Sequence, residues 1–579
     1  MSKIAAQYTD LDKLRHSCSH VLAQAVKRKF PQAQLGFGPP VEDGFFYDIH
    51  LEQSLTDGDL RMLENEMLKI IQSNFPFEKK MISCSDAKKI FSEKKESFKV
   101  EAVGDLESRG EDLSIVIDGE FTDLCKYPHA ASTGLIKAFK LTSIAGAYWK
   151  GQEGNAVMQR IYGTAFFSQK ELDEFVRLRE EAKKRDHRKL GKELNLFMFS
   201  PLAAASPIFK PKGTIVYNLL QDYIRGFYKR DGYQEVITPQ VFDVELWKKS
   251  GHYEKYKDNM YFTTIEKIEC AVKPMNCPSH TLIYSSEMHS YRELPIRIAD
   301  FGRLHRYERS GVTAGLTRVR TFSQDDAHIF CREDQIGSEI ASICRMIREV
   351  YATFGFPECK VFLSTRPEKK VGSDAVWDRA EAALEEAIKA NGLAYTVNAG
   401  DGAFYGPKID FIVKDVLQRD WQLGTIQLDF NMPERFELEY KNSEGGVSRP
   451  VMIHRAVLGS LERFMGILIE HYAGAFPLWL SPVQVSLIPI AQAHEAYAKK
   501  IEQELTDAGF RVEFLAPTET LGSRIRAAQT EKIPYMIVIG DKEIQAEKVA
   551  VRSRVAGDLG QMSPVELVQK LQVESSHKK

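Results

Sequence analysis

The chain has 579 residues, a formal net charge of −2 and eight cysteines; such a length excludes a single core and predicts about three to four domains. A near-zero charge excludes global attraction to a polyanion, so any RNA contact must come from local patches. Cysteines without a CxxC pair exclude a disulfide scaffold and fit a reducing, cytoplasmic compartment, and no apolar run approaches the roughly 20 residues that cross a bilayer.

In chain order, LDKLRHSCSHVLAQAVKRKF predicts a helix with Leu11, Leu14, Cys18, Val21 and Ala25 on one face. His16 and His20, four apart, share the opposite face, where they either meet solvent or line a cleft. FTDLCKYPHAAS adds Cys125 and His129 at the same spacing. HxxxH with CxxxH offers four groups of zinc-ligand type for a closed structural site, and the same four could position water on a substrate without metal. Spacing does not separate these readings. There is no HExxH, so a metalloprotease would lack its general base. Ser168 followed by Glu171 forms a capping-box pattern before ELDEFVRLREEAKKRDHRKLG, which predicts one connecting helix that stops at Gly191.

Further on, IRIADFGRLHRYERSG predicts a strand with Arg306 and Glu308 on one face. LTRVRTFSQDDAHIF predicts another whose even-numbered face carries Arg318, Arg320, Phe322, Gln324, Asp326 and His328. Together they predict a hairpin that holds an arginine over a cleft, where its planar fork matches phosphate oxygens. HRAVLGSLERF places Gly459 and Arg463 at helical spacing. Neither GxxxxGK[ST] nor GxGxxG opening a βα unit is present, so a nucleotide would be held by arginines and an antiparallel sheet. Threaded between the arginine motifs are Cys277 in KPMNCPSH, His328 in SQDDAHIF and His454 in VMIHRAVLGSLERF. Three such donors with a fourth place open fit a working zinc. After FPLWLSPVQV, the alternation of VQVSLIPI, AHEAYAKKIEQELTDAG, FRVEFL, TLGSRIRAAQTEK and YMIVIG predicts a compact βαβ domain.

Taken together, these motifs resemble the class II aminoacyl-tRNA synthetases, and among them the threonyl enzymes of bacterial type, from about Leu11 to the C-terminus. Pro239 in YQEVITPQVF is similar to the proline of motif 1, Arg306 and Glu308 in HRYERSG to motif 2, and Arg463 in GSLERF to motif 3. MNCPSH, QDDAHIF and VMIHRAVLGSLERF resemble the threonyl members in particular. The implied fold is multidomain, α+β and α/β. It comprises an α+β editing domain over 1–167, a linker helix over 168–192, a class II catalytic domain over 193–479 with an antiparallel sheet flanked by helices, and an α/β anticodon-binding domain over 480–579.

The same resemblance implies ATP-dependent attachment of L-threonine to tRNA(Thr) through threonyl-adenylate, with hydrolysis of mischarged seryl-tRNA(Thr). One Zn²⁺ per chain would sit on Cys277, His328 and His454, and Mg²⁺ would accompany ATP. Arg306 and Arg463 would be catalytic, binding the α- and γ-phosphates; Arg318 would assist them, Glu308 and Phe322 would hold adenine, and Asp326, Tyr405 and Gln427 would hold threonine. Editing would fall to His16, His20, Tyr47, Lys99, Asp123, Cys125 and His129 without metal, and Glu543 and Arg552 would read anticodon bases. A cytoplasmic homodimer is expected, with neither DNA nor a membrane as partner. Two departures from the family pattern are Ser279, where glycine is common, and the expected lack of the β-grasp domain that usually precedes the editing domain. A non-charging paralogue and an unrelated zinc hydrolase are the rival readings; the first has no need of intact arginines and zinc donors, and the second leaves the arginine motifs unexplained.

Overall fold

The computed structural model describes residues 8–356 and 358–578, and the chain divides into two compact units, one up to Glu180 and one from Glu181 onward. The first is organised around helix α1 (Asp10–Lys29), whose start is fixed by a reciprocal cap between Thr9 and Asp12 and whose ends carry acidic and basic residues that suit the helix dipole. Residues 14–26 of α1 are all buried. The face carrying His16 and His20 therefore does not meet solvent, because protein covers the polar side of the helix as well as the apolar one.

Against α1 lie β1 (Gly44–His50) and a hairpin of β2 (Ser114–Asp118) and β3 (Phe121–Leu124). Strand β1 pairs with β5 (Val157–Phe166), which pairs in turn with β4 (Ala138–Tyr148), all antiparallel.

The expected single connecting helix is two. α2 (Gln169–Arg185) follows the Ser168–Glu171 cap, but Asp186 leaves helical geometry and caps a new helix, α3 (His187–Glu193), by accepting from the Arg188 amide at 2.8 Å. Gly191 is not a stop. It lies inside α3, where a Cβ would fall 2.2 Å from the Phe197 ring, so close packing requires glycine there.

The second unit holds an eight-stranded, largely antiparallel sheet and, further along, a five-stranded sheet. In the larger one, β6 (Ile296–Asp300), β9 (Asp326–Cys331), β13 (Val451–Ala456), β12 (Asp420–Asp429), β11 (Lys408–Lys414) and β10 (Cys359–Ser364) are successive neighbours. Helices 211–231, 336–353 and 461–471 bury residues such as Leu220, Ile347 and Leu468 in its core.

LTRVRTFSQDDAHIF does not form one strand. It is split into β8 (Thr321–Ser323), paired with β7 (Arg303–His305) in a two-stranded sheet, and β9 in the large sheet. The cause is Asp325 at the break, which accepts from the amides of Val457 and Leu458 at 2.8 and 2.9 Å and from buried Arg455. Burial outweighs these partners and pushes the Asp325 carboxyl up to about 6. Arg455 is also packed against the rings of Tyr228 and Tyr233, at 5.0 and 4.5 Å.

The five-stranded sheet has the expected parallel strands Val485–Pro489, Val512–Phe514 and Tyr535–Ile539, to which an antiparallel pair, Val549–Ser553 and Gly557–Met562, is added. Its own core includes Leu487, Ile501, Ile537 and Leu567. Among the described residues no helix is long and apolar enough to cross a membrane.

Because removing one partner of a buried pair strands the other charge, Arg455→Met is expected to destabilise the second unit by about 3–5 kcal/mol. Its denaturant midpoint should fall accordingly; an unchanged midpoint would refute the clamp.

Candidate functional sites

The second unit's site is assembled by strand register. Ile298 lies opposite His328, His328 opposite His454, His454 opposite Gln427, and Gln427 opposite Lys408. Opposed residues share a face, so His328, His454 and Gln427 form one row across three strands. Cys277 meets that row from the first turn of the helix Cys277–Ser285. Donor atoms of Cys277, His328 and His454 lie within 4.8 Å of one another, and all three residues are buried.

Each imidazole has one nitrogen in a hydrogen bond. His454 Nε2 is 3.0 Å from Asp429 Oδ2, and His328 Nδ1 is 2.7 Å from His280 Nδ1. Such outer partners fix ring orientation and tautomer in metal sites. The soft-donor set, its convergence and these partners fit a zinc ion. Burial raises the Cys277 thiol well above its usual range.

A cavity of 340 Å³ opens on this cluster and is also lined by Arg306, Asp326, Tyr405 and Gln427. Asp326 accepts from Asn276 Nδ2 at 3.0 Å, and burial raises its carboxyl. The Tyr405 hydroxyl donates to Gln427 Oε1 at 2.5 Å. Ser279 donates its hydroxyl to the Asn276 carbonyl at 2.6 Å, which steadies the residue that holds Asp326.

The arginines sit beside the cavity. Arg306 and Glu308 are not on a strand but just beyond β7, where Arg306 N–H still bonds Arg320 O at 2.9 Å. The Arg306 guanidinium lies 5.0 Å from the centre of the buried Phe322 ring. Glu308 is paired with Arg318 at 3.0 Å. Gly459 is not helical: it takes a left-handed φ of 75° before helix Leu461–His471, while Arg463 enters that helix and donates to Thr317 O at 3.0 Å. Arg463 is lowered by burial and by the charges of Arg318 and Arg306. Three converging guanidiniums favour an anion that would relieve their repulsion.

The loop between β7 and β8 is also held from α3. His187 Nε2 accepts from the Leu316 amide at 2.9 Å, and His187 Nδ1 lies 2.6 Å from Glu470 Oε1. Asp186, His187 and Glu470 cluster as metal-type groups, but both ring nitrogens of His187 are already engaged.

In the first unit a cavity of 690 Å³ is lined by His16, His20, Lys99, Asp123 and Cys125. His16 Nε2 is 3.3 Å from His20 Nε2 and 3.5 Å from Cys125 Sγ, and the His129 ring stacks on His16 at 4.2 Å. Behind them the Tyr47 hydroxyl donates to Asp123 Oδ2 at 2.5 Å, and Lys99, buried in an ion pair with Asp123, donates to Tyr47 at 3.1 Å. All seven predicted residues are thus together. Burial lowers His16 to about 4 and His20 and His129 well below the usual range, and raises Cys125 to about 12. His16, His20, Cys125 and His129 also meet the proximity of a closed metal site, so geometry, like spacing, leaves both uses open.

Glu543, on the short helix Asp541–Ala546, accepts from the Gly540 amide and from Gln561, and Arg552 is exposed on its strand. His280, Asp429 and His187 were not anticipated from sequence. His280 follows Cys277 by three residues and Asp429 follows Gln427 by two, so helical and strand periodicity carry a signal for both; His187 has none, since its partners are distant in the chain.

Residues 261–472 match the model of the class II tRNA synthetase core domain (G, H, P, S and T), 484–574 that of an anticodon binding domain, and 113–162 that of the threonyl and alanyl tRNA synthetase second additional domain. The chain is 51% identical over 568 residues to a threonine–tRNA ligase of Carboxydothermus hydrogenoformans, covering 98% of this chain and 89% of that one. It is 52% identical over 542 residues to threonine–tRNA ligase 2 of Bacillus subtilis, covering 94% and 85%. Among solved structures it is similar to the RNA binding domain of threonyl-tRNA synthetase from Cryptosporidium parvum, with a TM-score of 0.66, 44% identity, and coverage of 67% of this chain and 98% of that one.

Proposed function

The chain belongs to the threonine–tRNA ligases, class II aminoacyl-tRNA synthetases, and from that membership we propose how its residues divide the work. It joins threonine to tRNA with ATP. The observation that carries the assignment of residues is the convergence of Cys277, His328 and His454 on a cavity that also receives Arg306, Asp326, Tyr405 and Gln427.

Arg306 holds the α-phosphate and Arg463 the γ-phosphate, with Arg318 beside them and Mg²⁺ accompanying ATP. Charge fixed in advance at these points stabilises the transition state when the threonine carboxylate attacks the α-phosphate and pyrophosphate leaves, and again when a ribose hydroxyl of tRNA takes the acyl group and AMP leaves. On nucleotide binding, Glu308 exchanges Arg318 for the adenine amino group, and the base stacks on Phe322. Asp326 faces the substrate ammonium, with Tyr405 and Gln427 completing the threonine pocket.

Cys277, His328 and His454 would hold zinc, which when bound supplies coordination positions for an amino and a hydroxyl group together. Valine lacks the hydroxyl, and a site built for a polar contact can reject such an analogue by about 10⁴-fold or more; losing a methyl costs only about 1–3 kcal/mol, so serine enters. The first unit removes that error. His16, His20 and His129, kept neutral by burial, orient water at the ester of seryl-tRNA, and the Lys99–Asp123–Tyr47 group fixes the pocket's polarity. Glu543 and Arg552 contact anticodon bases, and the protein works in the cytoplasm as a homodimer.

Threonine-dependent ATP–pyrophosphate exchange should be present in the wild type and fall about 100-fold or more in Arg463→Ala; exchange at the wild-type rate would remove Arg463 from the phosphate site. Zinc analysis should give one ion per chain, lost in Cys277→Ser, whereas two ions would overturn the metal-free editing site. In His16→Ala, hydrolysis of preformed seryl-tRNA should drop about 100-fold or more with charging retained; full hydrolysis in that variant would refute the editing assignment.

A further inference from the structure

Helix α1 and hairpin β2–β3 face each other in matched steps. Four residues of helix rise about 6 Å and two residues of strand about 6.7 Å. His16 lies 3.5 Å from Cys125 Sγ, and one step along, His20 Nδ1 lies 3.5 Å from Asp123 Oδ2. The next step brings Gln24 on the helix level with Phe121 on β3, and Phe121 is paired directly with Asp118 on β2, so Asp118 shares the face of Asp123. Nothing assigned to the editing reaction uses this third rung.

The rung is nonetheless polar and costly. Asp118 is fully buried and Gln24 is 1% exposed, yet both Asp118 oxygens and both ends of the Gln24 amide find no hydrogen-bond partner among the described protein groups. Unsatisfied buried groups of this kind are rare and destabilising, so each needs a reason. Gln24, though not Asp118, also lines a second chamber of 350 Å³, together with Lys94, Lys99, Glu120 and Asp123 among others. Lys99 and Asp123 line both this chamber and the editing cavity, so the buried ion pair is the wall between them.

Hydrolysis of a seryl ester at neutral pH breaks the acyl C–O bond to the ribose and an O–H bond of water and forms a new acyl C–O bond. The ribose oxygen gains one proton, and the new serine carboxyl ionises and sets one free. Asp123 is already committed to Lys99 and Tyr47. Asp118 is the uncommitted carboxyl on the same face.

We propose that Gln24 and Asp118 form the proton outlet of the editing site, holding water behind Asp123 and passing the released proton to the rear chamber. The inference rests on the editing reading above. Asp118 acts as a positioning and relay residue and does not touch substrate. Its electrostatic surroundings suit exchange near neutrality: burial first, then Asp123 and Glu120, raise its carboxyl to about 8, against the opposing charge of Arg28 on α1. Lys94, which feels Asp118, and Lys27 and Glu96, an ion pair, complete the charged surroundings on that side. A carboxyl raised in the folded state binds more protons there than in the unfolded chain, so Asp118 lowers stability progressively as pH rises from about 4 to about 8.

The test uses full-length protein, preformed seryl-tRNA from pH 6 to 9, and thermal melts. Asp118→Asn and Gln24→Leu should slow deacylation about tenfold or more, and Asp118→Asn should lose the limb of the rate profile near pH 8. Added imidazole buffer should restore part of the rate in Asp118→Asn. Asp118→Leu should melt above the wild type at pH 8, and its deacylation should also be slow, which separates loss of function from failure to fold. A wild-type rate and profile in Asp118→Asn would overturn the proposal, as would a loss that neither changes the profile nor responds to buffer. A wild-type protein that does not hydrolyse seryl-tRNA at all would instead defeat the editing reading.

Discussion

Strand register is the constraint on which the catalytic unit depends. His328, His454 and Gln427 face one cavity only because three neighbouring strands are aligned to the residue, and a slip of one position would turn any of them to the opposite face. Asp325 secures that alignment. By accepting two amides just past β13 and the Arg455 side chain, it joins the start of β9 to the end of β13, so the same carboxylate that ends one strand sets the phase of two. Cys277 is added from a helix because a sheet face alone would not bring a third donor over the row.

Both sites keep polar groups out of water, with different kinds of support. Around Cys277, His328 and His454 each imidazole has an outer partner, His280 for His328 and Asp429 for His454, that orients the ring. In the first unit, the Lys99–Asp123–Tyr47 group is fully connected while Gln24 and Asp118 are not. A connected network rigidifies a site, and an unconnected one costs stability.

Much of this was legible in the sequence because local spacing encodes it. The even-numbered parity of Gln324, Asp326 and His328 survives in the folded cavity although the predicted strand is broken in two, since the break at Asp325 keeps the later residues in phase. HxxxH and CxxxH marked four residues that do come together. What periodicity could not give was burial of the histidine face of α1, because the hairpin that covers it lies about a hundred residues away in the chain. Gly191 misled for a related reason: a glycine signals a helix end or a close neighbour, and the neighbour here is Phe197. Glu308 and Arg318, expected on different parts of a nucleotide, are paired with each other, a pairing that only the tertiary turn brings about.

The attachment of His187 to the β7–β8 loop has a consequence for that loop's chemistry. The Leu316 amide needs a lone pair on Nε2, so the ring proton must be on Nδ1, where Glu470 accepts it. An imidazolium has no lone pair to offer. The loop that carries Arg318 is thus latched by a single tautomer of one ring, so a side chain without that ring's two nitrogens could not tie Leu316 to Glu470.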